Sequence, residues 1–166
     1  MRKLFITGTL AVFIGLLGCK HVEKIEREDE PAIYTVGDDD KEMNEAIKTA
    51  NQTLHEFEVA LKSKNPSFST FSLKTSFKTP QNIEHIWVSD IKIIDGNYFG
   101  IVDNLPEYTN DVKLGDTIEI KRNTISDWMY LENNKLHGGY TIRAVRNKMT
   151  EKEKKQFDEE NGLLIE

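Results

Sequence analysis

Apolar residues recur at steps of three and four along residues 38–65, which is the spacing of one face of an α-helix. Asp38 to Asp40 supply an N-cap and negative charge at the start of this segment, and Asn65-Pro66 ends it. The pattern therefore predicts a long amphipathic helix. Its apolar stripe consists of Met43, Ile47, Ala50, Leu54, Phe57 and Leu61.

Alternating apolar and polar positions follow this helix and predict antiparallel strands. Residues 68–77 form one such strand. Residues 84–104 predict a hairpin around Asp95-Gly96, because this dipeptide suits a two-residue turn whose central residues have positive φ. Residues 116–122 predict a further strand.

A second hairpin is predicted in the stretch SDWMYLENNKLHGGYTIR, residues 126–143. With Asn133-Asn134 as the turn, Tyr130 faces His137 and the pairing continues to Ile125 opposite Ile142. We expect the aliphatic face to lie on the core: Ile125, Met129, Leu131, Leu136, Tyr140 and Ile142. The other face carries Ser126, Trp128, Tyr130, Glu132, Lys135, His137, Thr141 and Arg143.

This second face is expected to point to solvent or into the concave side of a curled sheet, unless the last helix covers it. Gly139 would let the indole of Trp128 lie across the partner strand. Asp127 falls on the apolar face and needs a partner, because an unpaired buried carboxylate is costly. The Tyr140 hydroxyl or a nearby backbone N–H group can serve.

The last predicted element is a short helix. Thr150 and Glu153 form a capping box, and Gly162 stands where a C-terminal glycine is expected. Together the elements predict an α+β fold. A long N-terminal amphipathic helix packs on a curled antiparallel sheet of about five strands, and a short helix closes the chain.

The first residues carry a different pattern. Arg2 and Lys3 precede an uncharged apolar run, LFITGTLAVFIGLLG, which is short for a membrane span and suits the core of a signal peptide. The run ends in Leu16-Leu17-Gly18-Cys19, which resembles the lipobox of bacterial lipoproteins. That resemblance implies a diacylglycerol on the Cys19 sulfur and an acyl chain such as palmitate on the new amino group. The alternative is an ordinary cleaved signal or an anchor helix.

A charged segment, KHVEKIEREDEPA, separates this terminus from the domain and predicts a solvated tether with a reach of ~20 Å. The chain thus divides into a signal peptide at 1–18, a flexible tether at 19–33 and one domain at 34–166. We expect an exported protein, anchored by lipid to a bacterial membrane and facing the periplasm or the cell surface. Cys19 is the one cysteine, so the exported domain has no disulfide.

Composition narrows the function only by exclusion. A net charge of −6 argues against nucleic-acid binding. The four histidines are scattered, and no zinc, calcium or phosphate-loop motif occurs, so we expect neither a metal nor a cofactor. No serine stands on a nucleophile elbow.

The segments EHIWVSDI, ISDWMY and GGYTIR resemble the bacterial YegJ-like family, a domain of unknown function numbered 2314. The resemblance covers about residues 34–163. It implies the boundaries of the domain but no established activity, substrate or cofactor. The motif positions include Glu84, His85, Trp87, Asp127 and Trp128.

These observations predict a binding module for a protein, peptide or envelope component more than they predict an enzyme. The predicted contact residues are Trp128, Tyr130 and Arg143, with His85 and Trp87 as neighbours. One alternative is a hydrolase that uses Glu84, His85 and Asp127, which requires these side chains to converge in one cleft. The other alternative is an immunity or inhibitor protein that neutralises a toxin.

Overall fold

The structure is a computed structural model that describes residues 23–27, 30–35, 40–80 and 82–165. Its helices are α1 (Lys41–Ser63), α2 (Tyr140–Arg146) and α3 (Glu151–Asn161). Its strands are β1 (Glu23–Arg27), β2 (Glu30–Thr35), β3 (Phe68–Lys78), β4 (Ile83–Ile94), β5 (Asn97–Val102), β6 (Thr117–Ile120), β7 (Ile125–Glu132) and β8 (Lys135–Gly138). The predicted α+β class is confirmed.

Helix α1 begins and ends inside the predicted segment. The Asp40 side chain caps it by accepting a hydrogen bond of 3.0 Å from the backbone N–H of Met43. The C-cap, Lys64, adopts the left-handed conformation directly before Asn65-Pro66. The buried side chains of the helix are Ala46, Ala50, Leu54, Phe57 and Ala60.

Strands β3 to β8 form one antiparallel sheet in the order β6-β5-β4-β3-β7-β8. It has six strands where we predicted about five. The hairpin around Asp95-Gly96 is confirmed, since both residues have positive φ and Ile94 pairs with Asn97. Helix α1 packs on one face of this sheet, with Leu54 and Phe57 against Leu73 and Val88.

The hairpin of β7 and β8 confirms the predicted register only near its turn. Glu132 pairs with Lys135 and Tyr130 with His137, and the pairing stops after Met129 and Gly138. The prediction that β8 continues through residues 139–143 is wrong. Gly138 and Gly139 both have positive φ, which ends the strand, and the chain turns directly into α2.

The predicted faces of β7 are reversed at Trp128 and Tyr130, whereas Ile125 lies in the core as predicted. Trp128 and Tyr130 lie in the core under α1, with relative exposures of 1% and 9%. The Trp128 ring lies 6.0 Å from the Phe57 ring, and its Nε1 donates to the Ala50 carbonyl oxygen at 3.0 Å. The large rings are buried because they offer the most apolar surface and the indole N–H finds an acceptor on the helix.

The C-terminal helix is confirmed, including the capping box of Thr150 and Glu153 and Gly162 as its C-cap. Phe157 is its buried residue. After the helix the chain returns to the sheet, where Leu164 exchanges backbone hydrogen bonds with Leu136 and Asn134 along the outer edge of β8.

Strands β1 and β2 form a separate two-stranded antiparallel sheet, in which Ile25 pairs with Ile33. The charged segment therefore contains regular structure that we did not predict. Its role as a tether remains a prediction. The predicted signal peptide and Cys19 lie outside the described residues. Among the residues that are described, no helix is long and apolar enough to cross a membrane.

Candidate functional site

The side of the six-stranded sheet that points away from α1, here called the far face, carries a row of polar and aromatic side chains. Lys74 on β3 pairs directly with Trp87 on β4 and with Asp127 on β7, so these three residues point to the same side. The neighbouring row of Leu73, Val88 and Trp128 points the other way, into the core.

Asp127 is fully buried, and its carboxylate is occupied by four donors. The backbone N–H groups of Trp128, Tyr140 and Thr141 donate to it at 2.8, 3.1 and 2.8 Å, and the Thr141 hydroxyl donates at 2.6 Å. Because two of these N–H groups open helix α2, the carboxylate fixes the start of that helix. The expected partner through nearby backbone N–H groups is thus found.

Lys74 stands beside this carboxylate. Its Nζ donates to the Thr141 hydroxyl at 3.2 Å and lies 5.2 Å from the centroid of the Trp87 ring. Burial lowers the pKa of Lys74, and the charge of Asp127 opposes that shift. Burial likewise raises the pKa of Asp127, against the hydrogen bond from Thr141 and the charge of Lys74.

His85 lies on the far face two residues before Trp87 and contacts a different strand. Its Nδ1 is 2.8 Å from the Ser126 hydroxyl, and that hydroxyl donates to the Lys74 carbonyl oxygen at 3.3 Å. His85 and Trp87 are both partly exposed, whereas Ser126 is buried. The predicted pair of His85 and Trp87 is therefore brought together on one surface.

Glu84 has a structural position. Its carboxylate accepts the backbone N–H groups of Glu107, Tyr108 and Thr109 at 2.6, 3.1 and 2.7 Å. It thereby holds the loop between β5 and β6. Since successive residues of a strand point to opposite faces, Glu84 and His85 diverge. The residues of the predicted hydrolase, Glu84, His85 and Asp127, do not converge in one cleft.

The other predicted contact residues lie elsewhere. Trp128 and Tyr130 are in the core, so they form no part of a solvent-side strip. Arg143 lies on α2 and not on a strand, and it donates to the carbonyl oxygens of Gly138 and Leu136 at 3.1 and 2.8 Å. The rings of Trp128, Tyr130 and His137 do share one face and stack on each other, as predicted. The prediction that this face is exposed to solvent is wrong, and of the predicted contact residues only His85 and Trp87 lie on the far face.

Lys74, Trp87, Asp127 and Thr141 form the polar cluster of the far face. Two of these residues, Lys74 and Thr141, were missed by sequence reasoning. A single lysine between Leu73 and Thr75 in a strand carries a weak signal, because lysines also occupy ordinary solvated positions. Thr141 was assigned to β8, and its contact with Asp127 depends on helix α2, which was not predicted.

The fold and the far face define a small α+β domain with a polar cluster on the sheet face opposite its main helix. The family described as "Uncharacterized protein conserved in bacteria (DUF2314)" matches residues 40–164. The chain belongs to this family.

Two bacterial relatives are similar to the chain. "Uncharacterized protein YegJ" of Escherichia coli (strain K12) is 30% identical over 138 residues, which cover 83% of this chain and 87% of that protein. The "Putative ankyrin repeat protein NMB1133/NMB1171" of Neisseria meningitidis serogroup B (strain ATCC BAA-335 / MC58) is 38% identical over 81 residues. That match covers 48% of this chain and spans 32% of the meningococcal protein. No solved structure matches the chain.

Proposed function

We propose that this protein is a lipoprotein of the bacterial envelope whose domain binds a protein or peptide partner through the far face. Trp87 and His85 are the contact residues. The observation that carries this proposal is the partly exposed indole of Trp87 on the sheet face opposite α1, with His85 beside it. Tryptophan is enriched among residues that dominate binding energy, because it buries a large rigid area.

The hydrogen bonds of the two buried or partly buried carboxylates, Glu84 and Asp127, support binding over hydrolysis. The carboxylates of Glu84 and Asp127 accept three and four hydrogen bonds from groups of the domain itself. Glu84 therefore orients the loop between β5 and β6, and Asp127 orients the start of helix α2. Trp87 and His85 remain as partly exposed side chains, and a surface of this kind suits a contact.

Site-specific photocrosslinking in the bacterium tests the contact surface. A photoreactive phenylalanine derivative replaces Trp87 in one strain and Val59 in another. Val59 is 68% exposed on α1 and serves as the matched control. We expect a defined crosslinked species from position 87 that is lost when His85 is also changed to Ala, and none from position 59. Equal products at both positions, or none at position 87, would refute the surface.

Metabolic labelling tests the anchor. Cells that express the full chain are grown with radiolabelled palmitate and fractionated. We expect the label on the wild-type protein in the membrane fraction and its loss in Cys19→Ala, because the thiol is the predicted attachment point. A wild-type protein without label, or a labelled Cys19→Ala variant, would show that the N-terminus is not a lipoprotein signal.

A further inference from the structure

Lys74 is partly exposed, and its amine has no salt bridge to a carboxylate among the described residues. Within the described part of the chain, the Thr141 hydroxyl is the acceptor of its hydrogen bond, at 3.2 Å. The Asp127 carboxylate, which would neutralise the ammonium group, is occupied by three backbone N–H groups and by Thr141. A lysine in such surroundings loses hydration without gaining an ion pair in return.

Lys74, Thr141 and Asp127 form a continuous hydrogen-bonded chain. The Lys74 Nζ donates to the Thr141 oxygen, and the Thr141 hydroxyl donates to Asp127 Oδ2 at 2.6 Å. The Thr141 hydroxyl accepts on one side and donates on the other, so its two neighbours fix its orientation. These hydrogen bonds therefore hold the Lys74 amine at a defined position.

Opposing effects act on the protonation of this amine. The Trp87 ring, whose centroid is 5.2 Å from Nζ, and the charge of Asp127 favour the charged form. Burial disfavours the charged form and is the largest cause in the shift of the Lys74 pKa, which is downward. The neutral amine is thus more populated at neutral pH than in an ordinary lysine.

A further polar group lies on the same face. Ser72 is two residues before Lys74 on β3 and is 1% exposed. Its hydroxyl has no hydrogen-bond partner among the described residues. A buried hydroxyl without a partner is unfavourable, so a ligand oxygen that reached Ser72 from beside Lys74 would gain a donor here.

We propose that Lys74 is a nucleophilic amine on the far face that captures small aldehydes or ketones as imines. The neutral nitrogen attacks the carbonyl carbon, and a C–N bond forms. The two protons of the amine then leave with the carbonyl oxygen as water, and a C=N bond remains, with no change of oxidation state. Thr141, whose hydroxyl is held by Asp127, accepts the hydrogen bond of the amine and so keeps the nitrogen oriented for the attack.

This chemistry goes beyond partner binding. It uses the same face as the proposed contact surface, but it requires neither the lipid anchor nor a protein partner. The two proposals can therefore fail independently of each other.

Reductive trapping tests the proposal on the purified full chain. The protein is incubated at pH 7 with propionaldehyde and cyanoborohydride, which reduces an imine to a stable secondary amine. Peptide mass spectrometry then gives the rate at each lysine. Lys155, whose side chain is 78% exposed, is the internal reference. We expect Lys74 to be modified several-fold faster than Lys155, since a lowered pKa raises the fraction of neutral amine. A rate equal to or below that of Lys155 would overturn the proposal.

A matched pair of variants tests the hydrogen-bonded chain. Thr141→Val keeps the shape and the backbone N–H to Asp127 but removes the hydroxyl, whereas Thr141→Ser keeps the hydroxyl. We expect the Lys74 rate to fall several-fold in Thr141→Val and to be retained in Thr141→Ser, with circular dichroism confirming that both fold. An unchanged Lys74 rate in folded Thr141→Val would refute the role of the Thr141 hydroxyl. The wild-type comparison of Lys74 with Lys155 decides the proposal even if Thr141→Val does not fold.

Discussion

At the scale of single residues, the cluster of Glu58, Tyr98 and Arg122 joins α1 to β5 and to the short turn before β7. The Tyr98 hydroxyl donates to Glu58, and Arg122 donates to both of them at 2.7 and 2.8 Å. Burial and the hydrogen bond to Glu58 raise the pKa of Tyr98 to about 12. The same hydrogen bond, opposed by burial and aided by Arg122, lowers the pKa of Glu58.

This cluster predicts a loss of stability in acid. A carboxyl with a lowered folded pKa stabilises the fold above its unfolded pKa, near 4.5, and that stability is lost as pH falls through the folded pKa. We expect Glu58→Gln to be less stable than wild type at pH 7 and the difference to shrink below pH 4.5. Urea unfolding across this pH range measures it. A difference that is constant with pH would contradict the assignment.

Trp128 shows why the sequence misassigned a face. The stretch from Ile125 to Glu132 has apolar residues on both sides of the strand, so the period of two does not identify the buried one. Which side of β7 is buried depends on the residues of α1 that pack against the strand. Phe57 and the Ala50 carbonyl oxygen on α1 suit an indole with an N–H group, and this complementarity is a tertiary property.

At the scale of elements, the junction between β8 and α2 shapes the polar cluster. Gly138 and Gly139 both have positive φ, and the Arg143 side chain reaches back to the Gly138 carbonyl oxygen. A Cβ atom at Gly138 would lie 2.6 Å from Cζ3 of the Trp128 ring. Glycine is therefore required at this position for two reasons, the conformation of the backbone and the closeness of the indole.

A matched pair of substitutions separates these two reasons. Gly96 has φ +83 in the turn between β4 and β5, and a Cβ there meets nothing within 4 Å. We expect Gly96→Ala to cost ~1–2 kcal/mol from backbone strain alone. Gly138→Ala should cost ~1–3 kcal/mol more, because the added methyl group overpacks the core. Denaturant unfolding measures both, and equal losses would show that the contact with Trp128 does not matter.

The sequence predicts the turns of the two hairpins correctly, but it does not predict that β8 ends at Gly138 and is followed by a helix. Asn133-Asn134 identified the reversal, because asparagine tolerates the positive φ that such a turn requires, and the register followed. The residues of α2, YTIRAVR, include the β-branched Thr141, Ile142 and Val145, which suit a strand equally well. The Asp127 carboxylate at the start of α2 favours the helix, and that contact is absent from any local pattern.

At the scale of the whole molecule, an ion pair connects distant parts of the chain. Lys148, just after α2, contacts Asp40 at the start of α1, and each side chain is only 8% exposed. Asn147 donates to Glu42 at 3.0 Å beside it. The first residues of the main helix are thus held by the C-terminal part of the domain, so the domain behaves as one closed unit and not as a row of independent hairpins.

Because the contact between Lys148 and Asp40 joins distant parts of the domain, we expect substitution of Lys148 to lower the stability of the fold strongly. Lys148→Met removes the positive charge that faces the buried Asp40 carboxylate, and we expect a loss of ~3–5 kcal/mol in the free energy of unfolding. The control is Lys155→Met on the surface of α3, whose contact with Glu159 is at 3.8 Å and should be worth under ~1 kcal/mol. Thermal and urea unfolding compare the two. Similar small losses would show that the Asp40 contact adds little.

The C-terminal residues have a consequence for how neighbouring copies meet. Leu164 accepts from the Leu136 N–H at 3.0 Å and donates to the Asn134 carbonyl oxygen at 2.9 Å. These bonds occupy the edge of β8 that another molecule would need in order to extend the sheet. The segment after α3 therefore covers these backbone groups at the border of β8, and a strand from another copy cannot pair with them there.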